Sequence, residues 1–97
     1  MASFQLLKDV AAALGIPSRL GIVNQCGAVD SPQFAFTSGN SPSGYFAYFY
    51  PGRAKRETAV AMMNDFGRAL SADGSGYRET GSVLVGGAIA YEYRIGV

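Results

Sequence analysis

Three basic residues, Arg53, Lys55 and Arg56, are the first feature of this 97-residue sequence that suggests chemistry. They follow a Pro-Gly pair and stand at the amino end of a segment with helical periodicity. The free amides of a helix amino end already carry partial positive charge, so three cations there are unfavourable without an anion. Such a cluster can bind an anion or a charged partner. The alternative is a solvated basic loop that Glu57 partly neutralises.

Aromatic side chains dominate residues 45–50, where five of the six positions are Tyr or Phe. In a strand, this run places large rings on both faces, and only one face can join the core of a simple layer. An exposed aromatic face favours aggregation unless a helix, a neighbouring subunit or a ligand covers it. Interfaces are enriched in such rings, although coverage within the domain is an equal alternative. The predicted interface residues are Tyr45, Tyr48, Tyr50, Tyr91 and Tyr93.

Enzymatic chemistry is not indicated by the polar residues. The chain has no histidine, and its seven acidic residues form no recognisable constellation around a hydroxyl or thiol nucleophile. Cys26 is the only cysteine, which excludes an intrachain disulfide and a cysteine metal cluster, and we interpret it as an inert thiol. The glycine-rich residues 39–44 lack the lysine of a phosphate-binding loop. We therefore expect a non-enzymatic protein without metal or cofactor.

Two amphipathic helices are predicted to support these residues. Ser3 can cap the first helix, over residues 4–14, and Gly15 and Pro17 end it. The second helix follows the basic cluster and ends in residues 71–76. Its apolar stripe, in which the two methionines are interpreted as core, comprises Ala59, Met62, Met63, Phe66 and Leu70.

Strands are predicted at residues 19–24, 33–38, 45–50, 82–85 and 88–95. The second and third of these are expected to form a hairpin through the turn at residues 38–44, and residues 26–32 form a loop. Gly86 and Gly87 permit the tight turn of a final hairpin. Helices that must bury an apolar stripe against a sheet predict an α+β, two-layer sandwich. It has one mainly antiparallel sheet, both helices on one face, and the order α-β-β-β-α-β-β over a single domain, residues 1–97.

Composition restricts the setting of the protein. Eight basic against seven acidic residues and 48% apolar residues indicate a globular domain rather than a disordered tail or a basic nucleic-acid arm. The sequence predicts neither a membrane-spanning helix nor a cleaved signal peptide, so we expect an intracellular, non-membrane protein. A domain this small buries a modest core and has no disulfide, so a partner chain is expected to stabilise it.

The order of elements resembles that of the tail-terminator and neck proteins of long-tailed bacteriophages. The resemblance covers nearly the whole chain and includes the opening helix, the strand that runs into Pro51 and Gly52, the second helix and the closing strand, residues 90–95. It implies a homo-oligomeric ring that contacts other virion proteins, located in the virion or the host cytoplasm.

A second resemblance, over residues 3–70, is to the double-stranded-RNA-binding domain. It includes Val23, Gln25, Gly27, Pro32 and Phe34 in the first two strands and the loop between them, and Gly52, Ala54, Lys55 and Arg56 at the start of the second helix. It implies that Lys55 and Arg56 contact phosphates of duplex RNA, with recognition of shape more than sequence. A degenerate copy of that fold that binds protein, and a small phage inhibitor of host defence, are further alternatives.

Overall fold

Two helices and five strands form the described part of a computed structural model, which comprises residues 3–21, 30–38, 44–85 and 87–96. This confirms the predicted α+β class and the order α-β-β-β-α-β-β. The elements are α1 (Phe4–Ala13), β1 (Ser18–Leu20), β2 (Gln33–Ser38), β3 (Tyr45–Tyr50), α2 (Arg56–Ala72), β4 (Tyr77–Val85) and β5 (Ala88–Ile95).

Helix α1 begins and ends for local reasons. The Ser3 hydroxyl accepts a hydrogen bond from the backbone N–H of Leu6, which satisfies one of the free amides of the first turn. Leu7 and Ala11, one turn apart, are fully buried. The helix ends before Gly15, which has a positive φ of 75°. The predicted helix is thus confirmed, one residue shorter at its carboxyl end.

The sheet has the strand order β1-β2-β3-β5-β4. Strand β1 runs parallel to β2, and the remaining neighbours are antiparallel, which confirms a mainly antiparallel sheet. After β3, the chain crosses through α2 to the far edge, forms β4, and returns as β5 between β4 and β3. The carboxyl-terminal strand therefore joins the single sheet, as predicted, and its place between β3 and β4 is a finding of the structure.

Both helices pack on one face of the sheet, around stacked phenylalanine rings. The ring centroid of Phe34 lies 4.3 Å from that of Phe66 in α2 and 4.9 Å from that of Phe49 in β3. All three rings are buried. Met62 and Met63 pack against this core while partly buried, which confirms their interpretation as core residues.

The opposite face of the sheet carries a second cluster. Its buried members are Ala35, Tyr48, Tyr50 and Ala90, with Phe46, Val83, Val85 and Ala88 packed against them. Within the described residues, this cluster consists of strand side chains, whereas helix side chains join the first cluster. The sheet is thus apolar on both faces.

The boundaries of two strands also differ from the prediction. Strand β1 begins at Ser18 rather than at residue 19, and it ends at Leu20, before Gly21 with its positive φ of 85°. Strand β4 begins at Tyr77 rather than at residue 82. The sequence before residue 82 lacks apolar alternation, but Tyr77, Arg78 and Glu79 pair with β5 and so extend the strand. A bulge between Glu79 and Gly81 interrupts the register, which further hides the strand from a pattern search. Helix α2 continues to Ala72. The predictions for residues 22–24, 26–29, 39–43 and 86 lie outside the described residues.

Candidate functional site

The basic cluster lies at the start of α2, as predicted, but its charges are not equivalent. The Arg53 Nε atom is 3.2 Å from the Asp30 Oδ1 atom, and the Arg53 backbone N–H donates to the Asp30 carbonyl oxygen. Lys55 is the N-cap residue of α2, and its side chain makes no capping hydrogen bond. Arg56 is the first helical residue and is exposed. Among the described residues, the carboxylate that pairs with Arg53 is therefore Asp30 rather than Glu57.

Three of the five predicted interface tyrosines are buried within the single chain. Tyr48, Tyr50 and Tyr93 are buried, with 8%, 2% and 4% of their surfaces exposed. This burial leaves little of the three rings for contact with a neighbouring subunit, since Tyr48 and Tyr50 pack in the cluster on the second face and Tyr93 packs in the helix-side core. Tyr45 and Tyr91 are half-buried, and their role at an interface stays a prediction.

A hydroxyl and carboxylate network joins three strands on the second face. The Tyr48 hydroxyl donates to Glu92 Oε2 at 2.8 Å, and the Thr80 hydroxyl donates to Glu92 Oε1 at 2.5 Å. Burial, the hydrogen bond to Glu92 and the negative charge of Glu92 raise the pKa of Tyr48 to about 12. Both carboxylate oxygens of Glu92 are thereby engaged, and the β4 bulge is tied to β5.

A groove of about 370 Å³ separates α2 from strands β4 and β5. Tyr93 forms part of its floor, and burial, followed by the charge and hydrogen bond of Glu79, raises the pKa of Tyr93. The Tyr77 ring closes one side by lying against Gly67, where a Cβ atom would overlap it. The residues that line the groove are Arg56, Val60, Met63, Asn64, Tyr77, Glu79, Tyr91 and Tyr93.

Strand β4 is the longer of the two edge strands of the described sheet, and its outer side pairs with no other described strand. Its first half carries Arg78, Glu79 and the bulge, which are the devices that discourage edge-to-edge pairing. Its second half, residues 81–85, has no charged side chain. There Leu84 is 75% exposed and lies directly opposite Ile89, which is 58% exposed. We call this pair together with residues 81–85 the β4 edge patch.

Sequence periodicity alone does not predict the β4 edge patch. The pattern of residues 82–85 predicts a strand, but it does not indicate which strand lies at an edge of the sheet. Ile89 lies on the same face of β5 as Tyr91 and Tyr93, but unlike Tyr93 it is exposed, so the helix-side face is uncovered at the hairpin end. The uncharged run from Gly81 to Ala90 beside a glycine turn was the available signal.

Comparisons with known proteins found no match to a protein-family model, a curated protein or a solved structure. In the described ranges, no group of three or more Cys, Asp or Glu side chains is placed to hold a metal ion. Neither α1 nor α2 has the length and apolar character that a membrane-crossing helix needs.

Proposed function

We propose that this protein is a non-enzymatic assembly subunit that binds a second copy of itself through the β4 edge patch. The observation that carries the proposal is the exposed Leu84–Ile89 pair on the uncharged half of an edge strand. The order of elements supports the more specific proposal of a ring-forming subunit of the phage tail-terminator or neck type. No cofactor is part of this proposal.

An open strand edge presents unpaired backbone donors and acceptors, and a second strand satisfies them most directly. In β4, Arg78 and Glu79 oppose such pairing only in the first half of the strand. Residues 81–85 have neither charge nor proline to prevent it. Strand addition is therefore expected at the carboxyl-terminal half of β4.

The β4 edge patch is complementary to itself in one antiparallel register. If Val83 lies opposite Val83 of the second copy, Leu84 lies opposite Ser82 and Val85 lies opposite Gly81. Each larger side chain then meets a smaller one, which is the arrangement that packs well across a strand pair. Arg78 and Glu79 fall beyond the paired segment, so like charges are not brought together. A pairing centred on residue 78 or 79 would oppose like charges.

The predicted contact is small. Five paired residues extend about 17 Å at about 3.4 Å per residue. A standard interface buries about 800 Å² per partner, roughly one seventh of the 5457 Å² surface of this chain. The β4 edge patch alone is smaller than that, so we expect weak, concentration-dependent pairing. A ring also requires a second, different contact, because a two-fold contact alone closes at a dimer.

The test is sedimentation equilibrium over a wide range of protein concentration. We expect the wild-type chain to associate and Leu84→Glu to remain monomeric, because the substitution buries an unpaired charge at the contact. Leu20→Glu is the matched control, since Leu20 is also exposed, at 56%, but lies in the strand at the other edge. This control should associate like the wild type.

A strict monomer at the highest concentration would contradict the proposal, as would equal association of the Leu84 and Leu20 variants. Association that stops at two copies would retain the β4 contact and remove the ring. Salt-sensitive binding of duplex RNA that Lys55→Glu with Arg56→Glu abolishes would favour the RNA-binding alternative instead.

A further inference from the structure

Two arginines lie directly opposite each other on the face of the sheet away from the helices. Arg78 of β4 pairs in register with Arg94 of β5, and Phe46 of β3 lies on the other side of Arg94. Directly opposite residues of an antiparallel pair have Cβ atoms about 5 Å apart and point to the same face. Arg78, Arg94 and Phe46 therefore form one continuous row across three strands, which we call the arginine row.

Like charges opposite each other destabilise a sheet unless another group compensates them. The ion pairs between described residues join Arg53 to Asp30 and Arg68 to Asp65, and neither includes the arginine row. Glu79, the neighbour of Arg78 in β4, is opposite Tyr93 and so belongs to the helix-side face. No ion pair in the described part of the chain thus neutralises the two cations.

Glu92 lies on the same face of β5 as Arg94, two residues before it. Its two oxygens accept hydrogen bonds from Tyr48 and Thr80. These hydroxyls orient the carboxylate toward β3 and the bulge of β4. The negative charge of Glu92 thus lowers the positive potential near Arg94, but its recorded hydrogen bonds are to hydroxyl groups and not to the guanidinium groups of the arginine row.

Arg94 is also held in position before any ligand binds. Its guanidinium carbon lies 5.8 Å from the centroid of the Phe46 ring, at cation–π distance. Arg94 is half-buried, whereas Arg78 is exposed. A planar guanidinium stacked on a ring keeps its edge free to donate hydrogen bonds. Arg94 is therefore the fixed member of the pair and Arg78 the adaptable one.

We infer that Arg78 and Arg94 form a binding site for a phosphate group. Guanidinium groups match the geometry of phosphate oxygens through paired N–H donors, and two arginines side by side can grip one group from two directions. An anion between them would replace their mutual repulsion with attraction. The site lies outside the β4 edge patch and does not depend on the proposed function.

The test uses two probes, inorganic pyrophosphate and a short single-stranded DNA, at low ionic strength. NMR titration should show saturable shifts of the side-chain Nε–Hε signals of Arg78 and Arg94. We expect Arg78→Gln or Arg94→Gln to weaken the apparent affinity at least about tenfold, the loss expected for a charged hydrogen bond. Arg68→Gln removes one cation from α2 and is the matched control, with unchanged affinity.

Thermal unfolding distinguishes a binding role of Arg78 from a structural one, because the two roles predict changes of opposite sign in the melting temperature. In phosphate-free buffer, Arg78→Gln should raise the melting temperature, because it removes the like-charge opposition in the arginine row. The same variant should lose the stabilisation that pyrophosphate gives to the wild-type chain. A merely structural arginine would lower the melting temperature when replaced and leave the effect of pyrophosphate unchanged.

The two probes distinguish the source of the phosphate. Arginine-dependent binding of both at similar affinity supports a site for a single phosphorylated group. Tighter arginine-dependent binding of the DNA, with a steep loss on addition of salt, supports a nucleic-acid backbone as the ligand. Absence of saturable binding of either probe, or equal binding by Arg78→Gln and the wild type, would overturn the inference.

Discussion

Gly52 shows how a single residue fixes the turn between β3 and α2. Its φ is +62°, and a Cβ atom there would lie 2.8–2.9 Å from backbone atoms of Ser31. Backbone atoms cannot rotate away as the end of a side chain can. The close approach places Arg53 next to Asp30, so this glycine supports the exposed ion pair that follows it.

We predict that Gly52→Ala lowers the free energy of unfolding by about 2–4 kcal/mol, through the left-handed conformation and the overlap with Ser31. Gly74 is the matched control, because its φ is +81° but no atom lies within 4 Å of a built Cβ. Gly74→Ala should cost about 1–2 kcal/mol, from conformation alone. Urea denaturation measures both, and equal losses would contradict the role assigned to Ser31.

Tyr48 predicts a pH dependence that can be worked out in sign. Its pKa is raised from 10.0 in the unfolded chain to about 12 in the folded chain. The folded state therefore holds the proton more tightly, and the associated stability is complete below pH 10 and is lost as the pH rises through 12. Tyr93 contributes in the same direction, since its pKa is also raised.

We expect the free energy of unfolding to fall less steeply between pH 10 and 12 in Tyr48→Phe than in the wild type. Near neutral pH, the variant should be less stable by about 1 kcal/mol, because the hydrogen bond to Glu92 is lost. Urea titrations at several pH values give both quantities. Parallel stability curves for the two chains would show that Tyr48 does not titrate as described.

At the scale of elements, the packing of α2 against β4 depends on a glycine within the helix. Gly67 is buried, and the Tyr77 ring lies where its Cβ would be. Glycine within a helix costs about 1 kcal/mol relative to alanine, so a packing reason is expected for it. The ring of Tyr77 supplies that reason and forms one side of the groove between α2 and β4.

Gly67→Ala should therefore fail to stabilise the wild-type chain, although alanine favours the helix, because the added methyl group displaces the Tyr77 ring. In a Tyr77→Ala background, the same substitution should raise the free energy of unfolding by about 1 kcal/mol. A double-mutant cycle measured by urea denaturation gives the coupling. Thr58→Ala, at an exposed position of α2, is the control and should act equally in both backgrounds.

In the molecule as a whole, the sheet separates two apolar clusters, and the helices cover only the first of them. The helices complete the first cluster, whereas the second consists of strand side chains within the described residues. The strand order leaves β4 at one edge of the sheet. The first half of this strand contributes Arg78 to the arginine row, and the second half forms the β4 edge patch. The proposed self-association and the inferred phosphate site can therefore be tested by substitutions in one element.

Features that depend on neighbours along the chain could be predicted from the sequence. Residues 33–38 and 88–95 alternate, and residues 45–50 form a short aromatic run between turn residues, so all three predict strands with the observed bounds. The stripe through Ala59, Phe66 and Leu70 predicts α2. The cap at Ser3 follows from residue type alone. These predictions succeeded because helix and strand periodicity are local properties. The bacteriophage and RNA-binding hypotheses remain predictions.

The order of the strands could not be predicted from the sequence, and this order creates both candidate sites. Placing β5 between β3 and β4 buries Tyr48 and Tyr93, which sequence reasoning expected at an interface, and leaves Leu84 exposed at an edge. The same pairing sets Arg78 opposite Arg94 across the final hairpin. Strand order and register come from the free energy of burying distant residues together, which periodicity within one segment does not record.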